Sequence, residues 1–250
     1  IRLNEESSEE IDGQRQLRVD EGYGRVMEYA VEQCRQVGVQ LRCNTVVSAV
    51  DWQKRPAKVV TEVGDFEAER VIITMPIGVL KAGGIRFNPE PRSKMEAIKS
   101  LEMGVVCKVV LQFRERFWAE PNFGFIHAED EWFATWWADE RGEVLTAWAG
   151  GPAGEKVSQF ERDFVLERAL EGASELFGER LPRIRELLVA ANTHNWAKDR
   201  FARGAYSYVP VNAVDACCEL ARGEGEVLFF AGEATDLNYQ FGTVHGAMAS

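Results

Sequence analysis

Residues 230–250, FAGEATDLNYQFGTVHGAMAS, run from a strand through Ala231-Gly232, an acid and a loop into small residues that open a helix. Each part suits a main chain that a ligand approaches closely. Glycine after a strand carries no Cβ, so a bound group can come near the backbone. A helix starting near Thr243 offers unpaired N–H groups and a positive dipole end to anionic oxygens. Glu233 can accept hydrogen bonds from the hydroxyls of a sugar-like chain. From the residues alone, a glycine-rich turn leading into a capped helix reads as well as a ligand site.

Outward from this tail, the hydrophobic pattern sets out the rest of the chain. Residues 105–113 (VVCKVVLQF) alternate with period two, so that Val105, Cys107, Val109, Leu111 and Phe113 share one face of a strand. Segments 123–127, 132–138 and 144–149 are rich in Phe and Trp and extend this strand into an antiparallel meander. Residues 157–177 read as one helix with Leu166, Leu170, Ala173 and Phe177 aligned, closed by Gly178. Near the other end, residues 22–37 place Val26, Ala30, Cys34 and Val37 on one helical face before a Gly38 cap. Strands are predicted over 39–50 and 57–63, with Gly64-Asp65 as a hairpin turn. Val71-Ile72-Ile73 reads as a strand buried on both faces, and 92–103 as a helix stopped by Gly104. The expected fold is of the α/β type, with α and β mixed, in two interleaved parts. One comprises the meander and long helix of 105–214, the other the helix 22–37, the strands to Pro76 and the tail, with a site between them.

Composition narrows the function. Forty acids against 29 bases give a formal charge of −11, which disfavours nucleic acid as a partner. The acidity suits cationic substrates, although solubility alone accounts for it. Residues 5–12 (EESSEEID) are expected to form a solvated, mobile edge. No apolar run approaches the roughly 20 residues that cross a bilayer, so no membrane partner is expected. The five cysteines show no CxxC pair, and His127, His194 and His245 have no shared spacing, so neither a metal nor a disulfide framework is expected. Such cysteine usage points to a reducing compartment. Gly22-Tyr23-Gly24 opens a helix, but Met27 stands where a dinucleotide fingerprint needs its third glycine. Lys108, taken alone, is a solvent-facing lysine on the alternate face of its strand. Trp196 and Tyr206 read equally as core aromatics or as walls of a site.

GEAT and TVHGA in the tail resemble the C-terminal flavin motif of the flavin amine oxidases, the family of polyamine oxidases, monoamine oxidases and lysine-specific histone demethylases. The likeness continues in order through TMPIGVLK (74–81), IRFNPEP (85–91), GVVCKVVLQF (104–113) and ARGAYSYV (202–209), covering about residues 17–250. It implies a mixed-sheet substrate-binding domain in 1–20 and 105–214 and a partial FAD-binding domain in 21–104 and 215–250. FAD would be held non-covalently, because Ala205 stands where monoamine oxidases carry their flavin-linking cysteine. Val47 would touch the adenine through its backbone. Thr74, Met75 and Pro76 would line the FAD cleft, and Glu233 would meet the ribityl or pyrophosphate region. Thr243 and Val244 would set the last helix against the flavin ring, in a loop one residue longer than the family pattern.

On the substrate side, Lys108 matches the family's active-site lysine, which holds a water near flavin N5. Buried, such a lysine would have a lowered pKa. Tyr206 matches the cage tyrosine and Trp196 a tryptophan packed on the isoalloxazine. The cage would be one-sided, since its second wall falls at Thr243. The implied reaction is oxidation of a small cationic amine. Hydride passes from its α-carbon to the flavin, the imine hydrolyses, and oxygen is reduced to hydrogen peroxide. The family's Gly-x-Gly-x-x-Gly element lies upstream of the matched motifs, so these 250 residues are expected to be the C-terminal portion and to hold no FAD alone. A related FAD-dependent desaturase or porphyrinogen oxidase would share the tail but not Lys108 and the Tyr206 motif. A non-catalytic binding module is the other alternative.

Overall fold

The computed structural model describes residues 19, 21–119, 124–129, 132–139, 142–238 and 240–250. The acidic run at 5–12, nearly all of the 1–20 share of the expected substrate part, and Tyr239 lie outside the described residues. The chain divides into two compact units, 1–46 and 47–250. In the first, α1 (Tyr23–Gln36) carries Val26, Ala30 and Cys34 half-buried on one face, but Val37, the fourth residue expected there, caps the helix and is exposed. Gly38 sits at φ 85, and Val39 N–H donates to the Cys34 carbonyl, which closes the last turn. Of the predicted strand 39–50, only the end forms, from Val47 onward. Asn44 at φ 52 breaks the extended run before it.

The second unit begins with β1 (Val47–Asp51), β2 (Ala57–Thr61), β3 (Gly64–Ala68), β4 (Val71–Ile73), α2 (Ile77–Lys81), β5 (Arg86–Asn88), α3 (Arg92–Ser100) and β6 (Glu102–Met103). Four of these form a mixed sheet in the order β3-β2-β1-β5, with β5 parallel to β1 and the rest antiparallel. The hairpin turns at Glu62-Val63 rather than at Gly64-Asp65. Gly64, at φ 132, instead opens β3 opposite Thr61, whose hydroxyl donates to its carbonyl. β4 is buried on one face only, with Ile73 inside and Ile72 65% exposed. It pairs in parallel with a single strand of the tail, and the small sheet so formed lays one face on the core. α3 stops at Ser100, before Gly104, because Leu101 turns extended into full burial and leads into β6.

The chain continues through β7 (Val106–Phe113), β8 (Ile126–His127), β9 (Thr135–Ala138), β10 (Val144–Gly150), α4 (Gly151–Ser158), α5 (Arg162–Phe177), α6 (Leu181–Leu187) and β11 (Leu188–Thr193). These strands form an antiparallel sheet in the order β11-β7-β10-β9-β8: β8, β9 and β10 make a meander as expected, but β7 pairs with β10 rather than with β8, and β11, which the pattern did not announce, forms the other edge. The single helix predicted over 157–177 is two, since Glu161 is extended at ψ 156 and starts α5 anew; Gly178 at φ 67 ends it. The tail holds β12 (Ser207–Tyr208), α7 (Val214–Ala221), β13 (Leu228–Phe230), a 3₁₀ turn (Glu233–Thr235) and α8 (Val244–Ala249).

Two hydrophobic clusters hold this unit. One packs Val109, Leu111 and Phe113 of β7 with Trp136, Leu145 and Ala169. The other joins Val50, Ile73, Ile98 and Leu101 to Leu220 and Phe230 of the tail. The second contains one buried ion pair. Lys94 on α3 is 1% exposed and donates to the backbone carbonyl and, at 3.1 Å, to the carboxylate of Glu219 on α7. Removing the carboxylate leaves a buried ammonium short of one partner, whereas removing the ammonium leaves a carboxylate that water can reach. Glu219→Ala is therefore expected to cost about 2 kcal/mol and Lys94→Met about 1 kcal/mol or less, read as urea midpoints. The Ser93 hydroxyl and Lys94 hold the Glu219 carboxyl below its usual range. Its contribution is thus complete above the unfolded-state value of about 4.3 and is lost as pH falls through the lower folded value.

Candidate functional site

The site is built around the connection from β11 to β12. Asp199 shapes it: its carboxylate accepts from Phe201 N–H at 2.8 Å and pairs with His194 Nε2 at 3.0 Å. Those two contacts, the backbone one first, hold its carboxyl below the ordinary range. His194 in turn stands edge-on to the Trp196 ring, with centroids 4.3 Å apart. Gly204 N–H donates to the Trp196 carbonyl, and residues 204–206 then run against Gly104. Ala205 N–H donates to the Gly104 carbonyl at 2.9 Å, and Gly104 N–H to the Tyr206 carbonyl at 2.8 Å. Tyr206 is thereby fixed two residues from the start of β7. Gly78 permits the same loop to press on α2, because a Cβ there would stand 2.8 Å from Arg203 Cβ and closer still to its carbonyl.

β7 presents two unlike faces. Cys107, Val109, Leu111 and Phe113 point into the core, while Lys108 and Gln112 are exposed on the other face. Lys108 faces Trp148 across the β7–β10 ladder. Together with Trp137, Trp148, Trp196, Ala202, Gly204 and Ala205 it lines an open depression of about 490 Å³. Lys108 and Trp196, named from sequence separately, thus meet in one place. Trp137 and Trp148 were not singled out; the cross-strand register that sets Trp148 opposite Lys108 would have found the latter. The burial expected of Lys108 is corrected. Its strand alternates as predicted, but the Lys108 side chain is exposed, in a depression open to solvent.

A second cleft, of about 190 Å³, lies where β4 and β13 end. Thr74, Met75, Pro76 and Glu233 all line it, with Ile73, Leu80, Met103 and Phe230 supplying apolar surface. The two depressions share Ala202, Gly204 and Ala205. At Gly232 (φ 138) the space a Cβ would fill is open, so a ligand can approach the main chain there. Apolar walls, an open glycine backbone and one carboxylate are a fitting donor set for a flat ring system with a polyol chain. The volume falls below the 300–1,000 Å³ usual for a ligand pocket, which suits a part of a dinucleotide rather than the whole. Glu233 also braces the cleft. Its carboxylate accepts from Ser207 N–H at 3.0 Å, Ser207 Oγ at 2.7 Å and Gly242 N–H at 2.8 Å.

The remaining expected contacts lie elsewhere. Val47 opens β1 and packs against the second cluster, lining neither depression. Thr243 caps α8, accepting from Gly246 N–H at 3.0 Å and donating to the Gln240 carbonyl, and Val244 begins the helix exposed. Neither lines the two depressions. Tyr206 is 42% exposed and packs on Gly242, where a Cβ would stand 3.2 Å from its ring.

Sequence comparison agrees with this architecture. Residues 2–250 match the family described as flavin containing amine oxidoreductase. The chain is 35% identical over 210 residues to lysine-specific histone demethylase 1 homolog 1 of Oryza sativa subsp. japonica, covering 78% of this chain and 24% of that protein. It is 29% identical over 219 residues to polyamine oxidase 2 of Arabidopsis thaliana (85% and 44%). Lysine-specific histone demethylase 1B of Mus musculus is 30% identical over 245 residues (92% and 28%). The chain belongs to the flavin-containing amine oxidoreductase family. It spans less than half the length of each of these relatives.

Proposed function

We propose that the chain serves an FAD-dependent amine oxidase acting on a small cationic amine, with FAD bound non-covalently. The observation that carries this reading is the meeting of Lys108 with Trp137, Trp148 and Trp196, in a depression that shares Ala202, Gly204 and Ala205 with the cleft at Thr74–Pro76 and Glu233. The separate cores of 107–187 and of the flanking stretches support a substrate part in 105–214 and a cofactor part around it. FAD, when bound, supplies the two-electron oxidation of the substrate's C–N bond. The chain's own residues orient the groups and exchange protons. Thr74, Met75, Pro76 and the Gly232 backbone would hold the ring system, and Glu233 would keep the Ser207 and Gly242 walls in place. The face of Trp196 guides the amine nitrogen, while Tyr206, packed on Gly242, lies outside the lining of both depressions. Lys108 Nζ exchanges a proton with that nitrogen or with water, since an amine must lose its proton before hydride can leave the α-carbon.

An amine panel, including polyamines, simple monoamines and a methylated lysine peptide, tests the reading through anaerobic flavin bleaching and aerobic peroxide release. Bleaching by no amine would favour a binding module or a related flavoenzyme. Residues 1–250 by themselves contain no Gly-x-Gly-x-x-Gly run to hold a pyrophosphate. Contacts of about 1 kcal/mol each at Thr74 and Glu233, which line the cleft, must offset an association cost on the order of 4–15 kcal/mol. Titrated with FAD, this stretch alone is expected to show no saturable quenching at micromolar concentration and to oxidise no amine. A yellow protein would place the anchor within these residues.

A further inference from the structure

We infer that Trp148, with Trp137 beside it, is a substrate-selecting wall that favours amines with one nitrogen and an apolar alkyl or aryl body over amines with a second cationic group. This rests on reading the tryptophan-lined depression as the substrate site. Trp148 lies on the outer face of β10, directly across the ladder from Lys108 on one side and Thr135 on the other. Its ring is laid along its own strand over Gly150. A Cβ at that glycine would overlap Trp148 Cη2 and stand 2.7 Å from Cζ2. Glycine at 150 therefore permits this orientation of the indole, which any side chain there would displace. Trp137 is held in turn by an edge-on contact with Phe125, centroids 5.6 Å apart.

The chemistry follows from this lining. Indole faces bury apolar surface and attract a single cation held over them. Lys108 is the one ionisable side chain in the described lining. A substrate body passing between the indoles gains apolar contact along its length. A second ammonium further along that body meets indole rather than a counter-charge among the described lining residues, and loses its hydration.

The test uses two probes that cannot be turned over, because neither has a nitrogen lone pair: n-hexyltrimethylammonium and hexamethylene-bis(trimethylammonium). Their binding to the holoenzyme is measured by calorimetry. The single-charged probe is expected to bind about tenfold more tightly than the double-charged one. Trp148→Leu should weaken the single-charged probe by about tenfold, and Trp148→Phe should restore most of the loss. Gly150→Ala moves the ring without removing it and should reproduce the weakening, so it decides the matter if Trp148→Leu does not fold. Equal or tighter binding of the double-charged probe would overturn the inference, as would unchanged affinity in Trp148→Leu or, where that variant does not fold, in Gly150→Ala. Flavin bleaching by n-hexylamine is recorded separately. Its absence, together with that of bleaching by every other amine of the panel, alongside the expected binding pattern would defeat the oxidase reading and leave the selective wall standing.

Discussion

Lys108→Met is expected to leave the flavin bound and to slow amine-driven flavin reduction by about 10²–10⁴-fold, the range of general acid–base assistance. The substitution keeps an unbranched side chain of similar length and removes only the nitrogen. Lys108 is exposed on the outer face of β7, and its neighbours Cys107 and Val109 face the opposite way into the core. An exposed change of this kind ordinarily alters stability by less than about 0.5 kcal/mol, so a lost rate reports chemistry rather than folding. Stopped-flow reduction under anaerobic conditions measures it. A fall in the limiting rate at saturating amine marks assistance made in the transition state, while a rise in the half-saturation concentration alone marks simple binding. Unchanged reduction kinetics would remove Lys108 from the proton-handling role.

That residue also shows where the sequence was legible and where it was not. Period-two alternation over 105–113 put Lys108 opposite Cys107 and Val109, and the sheet agrees. Alternation says which residues share a face; it is silent on whether anything covers that face. Burial of Lys108 was borrowed from the family likeness, and the open depression corrects it. The same limit applies to Val71–Ile73, whose apolar run could not tell a strand covered twice from one covered once. Trp148 escapes a reading of spacing because it meets Lys108 through a pairing across 40 residues of sequence, and Trp137 because it reaches that place only through β10. Thr74–Pro76 and Glu233 were named as parts of one cleft through motif likeness, and they do line one cleft. The brace from Glu233 to Ser207 and Gly242 is a tertiary contact that spacing could not reveal.

The largest loss of stability is expected from Trp136→Ala, at about 3–5 kcal/mol. Trp136 is fully buried on the core face of β9, one residue before Trp137 on the opposite face. Its Nε1 donates to the Phe133 carbonyl at 2.8 Å, and its ring meets Phe133 edge-on with centroids 6.2 Å apart. Alanine would remove the indole, open a cavity in the cluster formed with Leu111 and Leu145, and leave a buried carbonyl without its donor. Phe at 136 would refill much of the space but not the hydrogen bond, so it should recover roughly half the loss. Urea unfolding followed by circular dichroism measures both variants, with the comparison made at constant slope. If Trp136→Ala lowers stability by less than about 1 kcal/mol, the meander is not packed as described. The inner and outer tryptophans of β9 would then not be held in register, and the orientation of Trp137 in the depression would lose its support.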